Sequence, residues 1–219
     1  PSIKVNRISV ILANYNMPER ANAIAKYLKT HVKWPMDLIL VDNDSTLMPP
    51  SKYTSLRLGK NVQTTHAWIM GLHFADSIEV VEKFKYFAYG FVITSCQIPK
   101  NQGDIVAKLV KPMITNNKIV GTHPALTIDS TTQWTHLKYS KDALRHGLRK
   151  TNMIDNIFSI YQAKWFNSIG RFEKTLTYAW GIDIETGYLA RRAGKMLIIN
   201  DNILVKKETN IGYKMHRMN

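Results

Sequence analysis

Apolar positions in this chain fall into short runs separated by stretches of helical period. Arg7 to Ala13 (RISVILA) is apolar and rich in β-branched residues, as in a strand buried on both faces. From Pro18 to Thr30 the apolar residues Ala21, Ile24, Ala25 and Leu28 return at helical spacing behind an Asn-Met-Pro-Glu start. Pro35 breaks the chain, and Asp37 to Val41 (DLILV) predicts a second buried strand. Strand, helix and strand within about forty residues predict a parallel βαβ unit with a right-handed crossover.

The same reading continues along the chain. It predicts a helix over Ala67 to Lys85, a third buried strand over Tyr86 to Ile93 and a helix over Asp104 to Thr115. A strand begins at Lys118 to Gly121. His123 to Asn152 is polar, aromatic and basic without a clean period. Glu185 to Ala193 predicts a helix ended by Gly194, and Met196 to Ile199 and Ile203 to Val205 predict late strands. Alternation of this kind means an α/β fold, a mostly parallel central sheet flanked by helices in a single domain. Ligands are expected at the carboxyl edge of its strands.

Composition adds bounds to that picture. With 219 residues, 45% hydrophobic and 21% charged, the chain has material for a sizeable core and is not of disordered composition. No repeat, linker or low-complexity segment divides it. No apolar run approaches the roughly 20 residues of a membrane-spanning helix, and nothing at the start reads as a signal peptide. The expectation is a soluble, cytoplasmic protein. The single cysteine, Cys96, excludes an internal disulfide and a Cys-rich zinc site. Thirty Lys and Arg against sixteen Asp and Glu leave a formal charge of +14. That excess favours an anionic partner, whether nucleotide, nucleic acid, acidic glycan or anionic membrane surface, or serves solubility alone.

Two polar clusters follow the first two strands. Asn14-Tyr15-Asn16 places short side chains where they can hydrogen-bond a ligand's edge, or make an Asx turn before the helix. Asp42-Asn43-Asp44-Ser45-Thr46 offers a carboxylate able to accept a pyrimidine ring N–H, or a helix N-cap. Both clusters fall at the same edge of adjacent strands.

Four collinear segments carry a resemblance. ISVILANYNMPERANAIAKYL and LILVDNDST resemble the donor-binding half of inverting glycosyltransferases of the GT-A fold, of the large family-two type. Ala67 to Leu72 (AWIMGL) is similar to that family's helix start, with Trp68-Ile69 where an Arg-Asn pair is usual. Lys164 to Lys195 (KWFNSIGRFEKTLTYAWGIDIETGYLARRAGK) resembles its acceptor-side signature: an aromatic pair, a Gly-x-Phe turn, acidic residues after Trp-Gly, and an Arg-bearing helix ending in Ala-Gly. The resemblance implies a donor half over 1–99 and an acceptor and catalytic half over 100–219. It also implies an inverting transfer from a nucleotide-sugar, with uridine as the first choice of base. Carried over residue by residue, Asp42 matches the carboxylate that contacts the base, with Asn43 beside it, and Asn14 and Asn16 line the nucleotide pocket. Asp183 matches the catalytic base and Glu185 its acidic neighbour; alternatively Asp183 is the N-cap of the helix that follows.

One element of the family pattern is missing. The resemblance calls for Asp-x-Asp after the third strand to hold Mn²⁺ or Mg²⁺ against the donor's diphosphate. Alignment puts Thr94-Ser95-Cys96 there, and no carboxylate lies between Glu82 and Asp104. Hard divalent cations want oxygen ligands, commonly carboxylates, so this loop is expected to bind them poorly; no cofactor is certain, and Mn²⁺ or Mg²⁺ stays open. Thr94 and Cys96 remain candidates for the donor pocket. Lys206, Lys207, Arg191 and Arg192 are candidates to meet the diphosphate charge in place of a metal.

The acceptor is less defined. Thr132 to Lys150 interleaves Trp134 and Tyr139 with Lys138, Lys141, Arg145, Arg149 and Lys150, and Trp180 precedes the acidic cluster. Aromatics beside cations suit a glycan, a lipid-linked carrier, an anionic membrane surface or a nucleic acid such as a modified phage DNA base; a solvated basic helix is the plainer alternative. Two further readings stay open: a catalytically silent relative that binds nucleotide-sugar or glycan, and a nucleic-acid-binding module on an α/β scaffold.

Overall fold

Side chains on successive strand residues point to opposite faces of a sheet, and here both faces are apolar. Strand β1 (Ile8–Asn14) sends Ile8, Val10 and Leu12 to one buried cluster and Ile11 to the other. Strand β2 (Met36–Asp42) divides Leu40 from Ile39 and Val41 in the same way. Burial on both sides is what the unbroken apolar runs required.

The computed structural model describes residues 6–140 and 147–209; Lys141 and Arg145 lie outside the described residues. In chain order, β1 and β2 flank helix α1 (Pro18–His31), followed by β3 (Leu56–Arg57), α2 (Gln63–Glu82), β4 (Ala88–Ile93) and β5 (Cys96–Gln97). Then come α3 (Ile105–Thr115), β6 (Ile119–Leu126), β7 (Leu148–Thr151), β8 (Phe158–Gln162), α4 (Ala163–Ser168), α5 (Ile182–Arg192) and β9 (Met196–Lys207). They form a nine-stranded sheet in the order β3-β2-β1-β4-β8-β6-β9-β5, with β7 also paired to β9. Helices α1 and α3 cover one face through Ala21, Ile24, Leu28, Ile105, Leu109 and Val110. Helices α2, α4 and α5 cover the other through Trp68, Leu72, Trp165, Phe166, Ile182 and Ala190.

The α/β architecture expected from the sequence is present, and the pairing within it is mixed. Strands β3, β2, β1 and β4 are mutually parallel, as are β6 and β9. Strand β8 runs antiparallel between β4 and β6, while β5 and β7 run antiparallel to β9. Because β8 reverses and β6 reverses again, the carboxyl ends of β1, β2, β4, β6 and β9 share one edge with the start of β8. The two late strands expected near the end are one strand, β9. Its register against β6 shifts between Pro124 and Ala125, whose partners are Asn200 and Leu204. The skipped residues include Asp201, which Arg149 holds at 2.6 Å while donating to the carbonyls of His136 and Lys138. That bulge broke the apolar pattern seen in the sequence.

Candidate functional site

The first polar cluster is built around Asp42, at the last position of β2 and paired in register with Asn14 on β1. Its carboxylate is fully buried. Asn14 Nδ2 donates to Oδ1 at 3.0 Å and Ser45 Oγ to the same oxygen at 2.6 Å. Ser45 N–H reaches Oδ2 at 3.1 Å, and Arg57 Nε lies 3.6 Å from it. Asn16, in the left-handed region at φ 53°, donates its N–H to Ser45 Oγ and accepts from the N–H groups of Leu47 and Met48. Asn43 holds the next loop by pairing with Asn61 and accepting from Val62 N–H. The structure therefore brings Asn14, Asn16, Asp42 and Asn43 together at one strand edge, with their side chains committed to each other or to the neighbouring loops. Asp42 does not present a free carboxylate. The group it presents is Arg57, whose side chain is 54% exposed and is also tied to Ser45 carbonyl.

The second cluster lies further along the same edge. Asp183 is the second residue of α5, after Gly181 in the left-handed region at φ 89°. It is 7% exposed, and its Oδ1 accepts from Ile184 N–H at 2.9 Å. Burial pushes its carboxyl above the ordinary carboxylate value, opposed by that N–H and, more weakly, by the charge of Lys207. Lys207, at the end of β9, lies 3.5 Å from Asp155, which precedes β8. Burial likewise raises the Asp155 carboxyl, with the Lys207 charge holding it back and the Asp183 charge adding to the rise. One ammonium thus pairs with Asp155, and its charge also reaches Asp183. Behind them the buried Tyr161 hydroxyl meets Thr186 Oγ1 at 3.4 Å.

The loop between β4 and β5 closes the gap between the clusters. Thr94 Oγ1 donates to Met17 Sδ, and Cys96 pairs through its backbone with Lys207. Cys96 is buried, and burial pushes its thiol up to about 12, so it stays a thiol at neutral pH. Ser95 and Asn156 are both buried, and Ser95 Oγ and Asn156 Nδ2 have no hydrogen-bond partner among the described residues. Ile157 carbonyl accepts from Ile93 N–H, which sets Asn156 beside this loop. Hydroxyls, an amide and a buried thiol do not make a ligand set for a hard divalent cation. No group of three or more His, Cys, Asp or Glu side chains among the described residues is arranged to hold a metal ion. The loop Thr94–Cys96 itself offers no carboxylate to Mn²⁺ or Mg²⁺.

Several expected contributors stand elsewhere. Lys206 points to the opposite face of β9 from Lys207, because strand neighbours alternate, and pairs with Asp129 at 2.5 Å. Arg191 and Arg192 are in the last turn of α5, about 12 Å along the helix from Asp183; Arg191 donates to Asn152 carbonyl. Glu185 is two positions from Asp183, so it turns away from it, and nearby Glu173 adds to the burial that raises its carboxyl. Trp134 and Tyr139 are half-buried against the core under α1 and α3. Trp180 is 81% exposed at the foot of α5. A surface depression lined by Leu28, Val32, Trp34 and Met36 lies at the opposite, amino-terminal end of β2 and shares no residue with the clusters.

Sequence reasoning missed Arg57, Asp155 and Asn156. Arg57 sits on a two-residue strand with no periodic signal. Asp155 and Asn156 lie just ahead of the apolar run Phe158-Ser159-Ile160-Tyr161, and recognising that run as a strand would have exposed them as strand-end residues.

No protein-family model matches the chain, and no curated protein matches it in sequence. Solved structures do. A crystal structure of GalNAc-T7 with UDP, GalNAc and Mn²⁺ superposes with a TM-score of 0.65 at 13% identity, over 91% of this chain and 42% of that one. The mannosyltransferase PcManGT from Pyrobaculum calidifontis, in complex with GDP-Man and Mn²⁺, superposes with a TM-score of 0.60 at 12% identity, over 96% of this chain and 59% of that one. The chain spans about half the length of these two proteins. What it shares with them is the fold, an α/β domain on a central nine-stranded sheet of the GT-A glycosyltransferase type.

Proposed function

We propose that this chain is a glycosyltransferase that moves a sugar from a nucleotide-sugar donor, a UDP-sugar in the first instance, to an acceptor hydroxyl with inversion. The observation that carries the reading is the placement of Asp183. It is a desolvated carboxyl within range of Lys207, at the strand edge where Asn14, Asn16 and Asp42 also gather. Support comes from the shared fold with two transferases, whose structures hold UDP with GalNAc and GDP-Man.

In this reading Arg57, held by Asp42, meets the edge of the base, and Asn14 and Asn16 shape the pocket floor. Lys207 faces the diphosphate, with Ser95 and Asn156 as neutral donors beside it. An acceptor hydroxyl attacks the anomeric carbon from the side opposite the nucleotide. The new C–O bond forms as the bond to the diphosphate breaks, and the electron pair leaves with the nucleoside diphosphate. The hydroxyl proton passes to Asp183, whose raised affinity for protons suits a base that must take one in the transition state. Lys207 stabilises the charge that develops on the leaving group, the task the resembling family gives to a metal. Trp180 stands at the mouth as an acceptor-side aromatic. The acceptor is anionic in this reading, in keeping with the charge of +14.

Release of UDP from a panel of UDP-sugars, with water as the slow acceptor, is the direct test. Asp183→Asn is expected to lower the rate by about 10²–10⁴-fold with donor binding kept. NMR of the product is expected to show the inverted anomer; a retained anomer would reject Asp183 as the base of a single displacement. A second reading, a relative that binds donor without turnover, is favoured by the absence of carboxylates at Thr94–Cys96. Donor binding without UDP release would decide for it.

A further inference from the structure

Helix α5 has two unlike faces. Ile182, Asp183, Thr186, Gly187 and Ala190 are buried. The opposite face carries Ile184 and Tyr188, each 53% exposed, and Trp180, just before the helix, is 81% exposed. Trp180 is on the loop before the helix, which begins at Ile182, while Ile184 and Tyr188, four residues apart, form one stripe along the helix. It continues into the exposed guanidinium of Arg192, with Arg191 beside it. Tyr178, 52% exposed, and Lys174 lie on the loop at its other end. Ile184 and Tyr188 on the helix and Trp180 just before it are three large apolar side chains left in water, and they mark a surface that something covers.

We infer that this stripe docks the protein on an anionic lipid bilayer, with Trp180, Ile184 and Tyr188 entering the headgroup region and Arg191 and Arg192 meeting lipid phosphates. The composition is that of an interfacial helix: an aliphatic residue between amphipathic aromatics, with cations at the end. Charge argues against a second copy of the chain, since two surfaces of a protein at +14 repel. A soluble glycan stacks on aromatic rings and needs hydrogen bonds beside them, and Ile184 on the stripe offers none. Asp183 lies in the first turn of the same helix but on its buried face, so docking holds α5 at the bilayer without exposing that carboxyl to lipid. That this serves an acceptor carried by a lipid rests on the proposed function; the docking itself does not.

Vesicle flotation of the whole chain tests it. The protein is expected to float with phosphatidylcholine vesicles containing about one-third phosphatidylserine and to stay behind with phosphatidylcholine alone. Ile184→Ser with Tyr188→Ser is expected to reduce the bound fraction about tenfold. Val80→Ser with Val81→Ser, at exposed positions on α2, is the control and leaves it unchanged. Equal thermal melts of the variants show that the fold is kept. As a second readout on the unaltered chain, phosphatidylserine vesicles are expected to shield Trp emission from a collisional quencher, and Trp180→Phe to remove that protection. Failure to float, or flotation indifferent to the Ile184/Tyr188 pair, would overturn the inference. So would loss of heparin binding in that pair without any vesicle binding, which would give the stripe to a soluble anionic glycan.

Discussion

Asp183 carries two opposed demands. Its carboxyl is 7% exposed and its affinity for protons is raised by burial, so above that raised value the folded state holds a charge that water would hold more cheaply. As pH falls through the folded value towards the unfolded one near 3.8, the folded state takes up the proton first and the cost disappears. Asp183→Asn is therefore expected to melt higher than the parent near neutral pH, with the difference closing below about pH 4. A lower melting temperature for the variant at neutral pH would show instead that the Asp183 carboxylate stabilises the first turn of α5, whose N-cap is Gly181 and not Asp183. Asp183 and Lys207 were candidates from the sequence because each follows a periodic element or falls on a quoted motif. Arg57, Asp155 and Asn156 were not, because their placement depends on strand pairings between segments far apart in sequence. The burial of Asp42 was not legible for the same reason. Only the folded register shows that Asn14 and Ser45 consume its lone pairs.

Elements hold these residues through close approaches and a buried clasp. Helix α5 passes so near the segment after β7 that a Cβ on Gly187 would run into Asn152 carbonyl oxygen. Gly187→Ala is expected to cost about 1–3 kcal/mol and to move Asp183 from Lys207, lowering UDP release together with the melting temperature. An unchanged melt would mean that α5 can shift freely. On the far side, Arg149 holds buried Asp201 in the β9 bulge. Arg149→Met leaves that carboxylate without its cation and is expected to cost about 3–5 kcal/mol in a denaturant melt. The helices α1, α2, α3 and α5 and strands β1, β2 and β4 were legible from period and run length alone. Strand β8 was not, since five residues buried on both faces read equally as strand or helix core. The bulged β9 read as two strands because Asp201 and Asn202 interrupt its apolar run.

At the scale of the molecule, the sheet gathers the carboxyl ends of five strands, and the start of an antiparallel sixth, at one edge. Both polar clusters are the consequence. The neutral loop Thr94–Cys96 and the Lys207 ammonium occupy the gap between them, and in the proposed function it is this protein cation that meets the donor's diphosphate. Calorimetric titration with UDP in EDTA, and again with Mn²⁺, tests that claim most directly, on the parent chain, Lys207→Met and Lys207→Arg. Binding is expected in EDTA and is expected to be unchanged by Mn²⁺. Weakening by about tenfold or more is expected in Lys207→Met, the loss of one charge-assisted contact, with recovery in Lys207→Arg. Binding that appears only with Mn²⁺, or binding in EDTA that is indifferent to Lys207→Met, would contradict that claim.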